Sequence, residues 1–148
     1  MEGKVFYMIP GSQTPVIVLW CLVAFLSALT IFFAYLACRM NNVSFEITSE
    51  ALRIRSPLYG RLIPLSAIIK DRVEILDLVK DDSRRPSLRT NGMGLPGYAA
   101  GWFRLRNKEK ALLFLTANSN VVYIPTSEGY SLLLSVKDAE EFSKELKQ

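Results

Sequence analysis

The sequence predicts an N-terminal transmembrane α-helix followed by a mainly-β domain, a partly open barrel or sandwich of seven to eight strands with one C-terminal capping α-helix. Three observations predict it. No charged residue stands between Lys4 and Arg39, so 34 residues from Val5 to Cys38 are uncharged, where about 20 apolar residues suffice to cross a bilayer. After Arg39 the chain breaks into short alternating apolar and polar segments divided by Pro, Gly, Asn and Ser. Its final residues return to helical spacing.

The span is placed at residues 16–38, after a short tail at 1–15. Pro15 suits a helix entrance, where its missing N–H would be unpaired anyway. Val16 to Cys38 would be roughly 34 Å long against a hydrocarbon core of about 30 Å. Ser27 and Thr30 are its only Ser or Thr residues, and each can bond a carbonyl one turn back. Trp20 and Tyr35 lie near opposite ends, and Arg39 closes the segment. A cleaved signal peptide has a shorter apolar stretch, of about 7–15 residues. Tyr35-Leu36-Ala37-Cys38 only faintly matches a lipoprotein cleavage box, with tyrosine where leucine is usual. Lys4 precedes the span while Arg39, Arg53 and Arg55 follow it, so the expected address is a cell membrane, single-pass, with the domain cytoplasmic. Ala24 and Ala28 form a small-x-x-x-small pair, a pattern too common in alanine-bearing spans to specify helix pairing.

Residues 43–148 are enough for one domain with its own core. Met40 to Asn42 is the expected joint. The whole chain carries +4, unevenly spread: 13 basic and 8 acidic residues from Val43 to Lys110, then 3 basic and 5 acidic from Ala111 to Gln148. Both cysteines, Cys21 and Cys38, fall in the span, so the domain has neither disulfide nor thiol ligand. Val43, Phe45 and Ile47 alternate with Ser44, Glu46 and Thr48 as a half-buried strand, and Ser49-Glu50 turns the chain. Leu52 and Ile54 alternate with Arg53 and Arg55 before the turn at Pro57–Gly60. Further strands are predicted at Arg61–Pro64, Arg72–Leu78, Trp102–Arg106, Ala111–Thr116, Val121–Pro125 and Tyr130–Leu134. Asn107–Glu109 and Asn118–Asn120 read as hairpin connections in a meander. Ser135 and Asp138 read as a capping box, with Val136, Ala139, Phe142 and Leu146 on the buried side of the last helix and Phe142 as its plug.

A strand meander with a capping terminal helix, together with Ala51–Arg61, Ile63-Pro64-Leu65, Arg89-Thr90-Asn91-Gly92, Leu95-Pro96-Gly97-Tyr98 and Leu132–Ser135 leading to Phe142, resembles the membrane-associated bacterial pleckstrin-homology (PH) domains. The resemblance covers essentially all of the soluble domain. It implies a PH-like fold beside membrane helices and little about activity. Arg53 and Arg55 resemble half of the pattern by which phosphoinositide-binding PH domains hold headgroups. Glu46 and Thr48 occupy the first strand, where that pattern has a lysine.

The segment Lys80–Gly101 is read as a loop of 22 residues without periodicity, and loops of that length are often functional. It supplies the candidate binding residues Arg84, Arg85, Arg89, Asn91, Gly92, Pro96, Gly97 and Tyr98, to which Arg53 and Arg55 add a basic strand face. Arg104 and Arg106 are a similar pair. Gly92-x-Gly94-x-x-Gly97 matches the dinucleotide fingerprint formally, but Pro96 interrupts it and no helix opens inside it. The chain has no histidine and the domain no cysteine, so no catalytic residue, metal ligand or cofactor is expected. Nucleic acid is not an expected partner, for no recognition-helix pattern is present and the soluble helix is acidic. The expectation is therefore a membrane-anchored interaction module without catalytic activity. It presents a protein, peptide or lipid-headgroup surface to an unknown membrane or cytoplasmic protein. The alternative is an oligomerising structural subunit using Leu95, Trp102 and Tyr123 as outward apolar residues.

Overall fold

The computed structural model describes residues 3–40 and 42–148. Met1 and Glu2 of the expected tail and Asn41 of the expected joint lie outside the described residues, as do the side chains of Arg39 and Met40. The chain divides into two compact units, 1–41 and 42–148.

The first unit is a helix, α1, Thr14–Met40. It extends two residues further at each end than the apolar run suggested. Pro15 occupies its first turn, and the Ser12 hydroxyl accepts the Thr14 N–H at 3.2 Å. The Ser27 and Thr30 hydroxyls donate to the carbonyls of Val23 and Leu26 at 2.8 and 2.9 Å, which satisfies both polar groups inside the helix. Thr14–Cys38 is long and apolar enough to cross a membrane, and its most apolar stretch is wholly unburied within the protein.

The second unit has nine strands in two sheets and forms no closed barrel. Strands β1 (Ser44–Ile47), β2 (Ala51–Arg55) and β3 (Arg61–Pro64) make an antiparallel sheet in that order. The other sheet comprises β4 (Glu74–Leu76), β5 (Pro86–Leu95), β6 (Tyr98–Leu105), β7 (Lys110–Leu115), β8 (Val121–Pro125) and β9 (Ser131–Ser135). Its order is β4-β8-β9-β7-β6-β5. A terminal helix, α2, spans Ala139–Lys147. The expected loop at Lys80–Gly101 is thus mostly strand. A meander is also ruled out, because β9 lies between β7 and β8, parallel to β7 and antiparallel to β8. Asn118–Asn120 therefore carries the chain past an intervening strand position and is not a hairpin turn. The strand expected over Arg72–Leu78 shortens to Glu74–Leu76, since Lys70–Arg72 forms a 3-10 turn.

Apolar residues lie on both faces of the larger sheet. One face packs Leu112, Phe114, Ile124, Leu132 and Leu134 against Leu52, Ile54 and Ile63 of the smaller sheet, with Ala139 and Leu146 of α2 completing this core. The opposite face gathers Phe103, Leu105, Leu113, Val121, Tyr123 and Leu133 with Leu76 and Leu78. Burial on both faces explains why β7, β8 and β9 read as nearly continuous apolar runs with little alternation. Tyr123, expected to face outward, belongs to this second core. The helix plug is the fully buried Leu146, while Phe142 is half-buried and meets the Phe45 ring edge-on at 6.2 Å. No capping box forms. Asp138 is the N-cap without a side-chain bond, and the Ser135 hydroxyl instead accepts the N–H groups of Thr116 and Ala117 at 3.1 and 3.3 Å.

β4 and β5 are the two edges of the larger sheet, so residues 77–85 must cross from one edge to the other. Leu78 of this strap is buried in the second core, and its N–H donates to the Asn118 carbonyl at 2.7 Å. Arg84 holds the far part. Its guanidinium lies 4.4 Å from the Tyr123 ring centroid and pairs with Glu74 at 2.6 Å and Asp81 at 3.5 Å. Tyr123 in turn donates to Glu109 at 2.9 Å. Asp82 accepts from Arg85 and Arg106. Arg84→Ala should lower stability by roughly 1–3 kcal/mol in urea unfolding, because it strands the carboxylates and uncovers the ring. The Asp81 carboxyl is held below its ordinary value of 3.8 chiefly by the Ser83 side chain, and Asp82 chiefly by Arg85. Groups lowered on folding stabilise fully above that ordinary value and lose the contribution as pH falls through the lowered one. A thermal-melt series should therefore show the strap's contribution draining away below 3.8, with less acid sensitivity in Asp82→Asn.

Candidate functional site

β5 is the longest strand, ten residues, and most of it is exposed. It pairs with β6 on one side only, with register shifts between Pro86 and Leu88 and between Arg89 and Asn91. Beyond the second shift the pairing is regular from Asn91↔Trp102 to Leu95↔Tyr98. The two irregularities, Pro86 and the charged Arg89 guard the first half of this edge against chance pairing. The second half, Asn91-Gly92-Met93-Gly94-Leu95, carries no charge and no proline.

The four glycines of this hairpin are not equivalent. Gly97 has φ +75° after Pro96, the arrangement of a turn that needs Gly at its third residue. Gly101 has φ +111° and lies so close to Gly92 that a Cβ on it would meet the Gly92 Cα at 2.6 Å. A Cβ on Gly92 would meet the Ala100 carbonyl at 2.6 Å and the Phe103 ring at 3.1 Å. Gly94 differs, since its Cβ would touch only the Phe103 ring at 3.6 Å. The phenyl ring of β6 thus lies against the edge glycines and supplies the side-chain cover they lack. Gly94→Ala should change stability by no more than about 1 kcal/mol, whereas Gly92→Ala should cost roughly 1–3 kcal/mol, as chemical denaturation of both variants will read.

The sequence-predicted binding residues are spread along this strand and do not share one pocket. Arg84 and Arg85 stand before β5, engaged by Glu74, Asp81 and Asp82. Arg89, Asn91 and Gly92 lie within it, and Pro96, Gly97 and Tyr98 form or follow its turn. Ten residues at about 3.3 Å each separate the two ends by roughly 30 Å. Asn91 is linked across the sandwich, where the Tyr59 hydroxyl reaches its Oδ1 at 3.5 Å. Arg53 and Arg55 lie on the smaller sheet, where Arg55 pairs with Glu46 at 2.7 Å and Arg53 stands opposite Leu62. Arg104 and Arg106 also part company, for Arg106 is tied to Asp82.

A second cluster was not legible in the sequence. Trp102 is half-buried, and the guanidinium of Arg61, from β3, lies 5.1 Å from its ring centroid and 5.5 Å from that of Tyr130. The Lys110 ammonium is 4.5 Å from the same indole, and Tyr130 meets it edge-on at 5.1 Å. The Tyr130 hydroxyl donates to Glu128 at 2.9 Å; burial, then this carboxylate, raises its pKa. Arg61, Trp102, Lys110 and Tyr130 come from or adjoin four strands, and no spacing along the chain announces their meeting. Among the described residues, no group of His, Cys, Asp and Glu side chains is arranged to hold a metal.

Two packed sheets with a terminal helix closing the core define a PH-like sandwich. The family model described as a bacterial PH domain matches residues 43–148, and the chain belongs to that family. Neither the curated proteins nor the solved structures compared with it gave a match.

Proposed function

We propose that this protein is a membrane-anchored, non-catalytic interaction module whose β5 edge receives an extended segment of a partner protein at the cytoplasmic face. The observation that carries the reading is the uncharged half of β5 from Asn91 to Leu95, an edge in which Asn91, Gly94 and Leu95 are exposed and Gly92 and Met93 half-buried. An edge strand offers unpaired backbone donors and acceptors, and an added strand gains main-chain hydrogen bonds while alternate side chains set specificity. Asn91, Met93 and Leu95 would meet one face of the incoming strand, and Gly92 and Gly94 the other, beside Phe103. Leu95 is 59 % exposed, a large apolar side chain at the end of that window. The unburied helix Thr14–Cys38 supports anchoring, and the balance of Lys4 against Arg39, Arg53 and Arg55 supports a cytoplasmic domain. Tethering would keep even a weak edge-strand site effective, because it concentrates the domain beside membrane partners.

The test is site-specific photocrosslinking in native membranes from positions 93 and 95, with Lys144 on α2 as the control position. One discrete partner captured from both strand positions and absent from the control is expected. Equal capture of bystanders at all three positions would contradict it. A crosslink to a second copy of the chain would select the oligomerising subunit instead.

A further inference from the structure

We propose that Arg61, Arg104 and Lys110 form an oxyanion site around Trp102 that takes a phosphate group. Arg104 and Lys110 are directly opposite in the β6–β7 register, so their side chains leave the same face of the sheet as neighbours. Like charges so placed repel. Arg104's other cross-strand neighbour is Leu88, which is 59 % exposed and offers no charge. Trp102 shares this face of β6, and both Lys110 and Arg61 are drawn to its ring.

Arg55, Lys80, Arg84, Arg85 and Arg106 each have a carboxylate partner. Of the described cations without one, Arg61 and Lys110 are the two that lie over an aromatic ring. Among the described residues Arg61, Arg104 and Lys110 have no ion pair. The nearby acids are engaged elsewhere: Glu109 binds Tyr123 and Asn107, and Glu128 accepts from Tyr130. A guanidinium lying on aromatic rings keeps its planar N–H groups available for two-point contact with an oxyanion. A doubly charged phosphate would relieve the Arg104–Lys110 repulsion and complete the cluster. This site is independent of the β5 edge reading.

Replacing Trp20 by Phe leaves Trp102 as the sole indole, since the chain has two tryptophans. The full chain in nonionic detergent is titrated with inorganic phosphate against chloride of equal ionic strength. A saturable change in Trp102 emission with phosphate is expected. Arg104→Gln and Lys110→Gln should each weaken binding roughly tenfold or more. Without phosphate, Arg104→Gln should melt no lower than the parent, because it removes a repulsion and no ion pair. A second arm reconstitutes the same proteins in phosphatidylcholine vesicles with or without phosphatidylglycerol. An Arg104-dependent response confined to the phosphatidylglycerol vesicles identifies a lipid headgroup as the source, and one to inorganic phosphate identifies a free ligand. No specific response in either arm, or one that survives both substitutions, overturns the site.

Discussion

Gly101→Val is expected to lower the unfolding free energy by roughly 3–5 kcal/mol, the sum of a strained backbone and an overpacked crossing. At φ +111° the backbone occupies a region that side-chain-bearing residues avoid. The new Cβ would also meet the Gly92 Cα at 2.6 Å, the Asn91 carbonyl at 2.7 Å and the Tyr59 ring at 3.0 Å. Two of those three atoms belong to backbone, which cannot rotate away. The damage should centre on the β5–β6 hairpin and the contact of Asn91 with Tyr59. Urea unfolding measures the loss, and hydrogen exchange should show protection falling first at β5 and β6.

Phe103→Ala should be comparably severe, at about 3–5 kcal/mol. The ring is buried in the second core and also lies against Gly92 and Gly94. Its removal opens a cavity between β6 and the strap and uncovers an edge strand already short of side chains. The variant should therefore combine a lower denaturation midpoint with a tendency to self-associate, measurable by light scattering below the unfolding transition. Leu at this position should recover part of the stability, since it refills volume without the reach of the ring.

These two residues also show why the sequence was readable in some places and opaque in others. The strands Arg61–Pro64 and Val121–Pro125 emerge with the bounds expected of them, because proline and turn residues punctuate compact apolar segments. The long apolar helix was equally plain. Lys80–Gly101 misled because Gly92, Gly94 and Gly101 erase the alternation that marks a strand, and the side chain that replaces it belongs to Phe103 on the next strand. The place of β9 between β7 and β8 is a matter of long-range pairing, and Asn118–Asn120 has the composition of a hairpin turn while making a longer passage. Ser135 had the spacing of a helix cap, but the unpaired N–H groups of Thr116 and Ala117 claim its hydroxyl. Among the candidate contacts, individual arginines were visible, but their partners were not. The structure commits Arg84 and Arg106 to acids and leaves Arg104 beside Lys110.

The two proposed surfaces lie on adjoining strands and have different chemistry. The β5 edge offers backbone hydrogen bonds to an extended chain, with little dependence on salt. The Trp102 cluster offers charge and should weaken as ionic strength rises. Partner capture measured at low and high salt would separate their contributions.

The proposed function requires first a helix held in a bilayer and a domain exposed to the cytoplasm. Protease treatment of sealed inverted membrane vesicles tests it most directly. Residues 43–148 are expected to be cut away while a fragment carrying Thr14–Cys38 stays protected in the sedimented membrane. Recovery of the intact chain in the supernatant, or a domain shielded until detergent opens the vesicles, would contradict it.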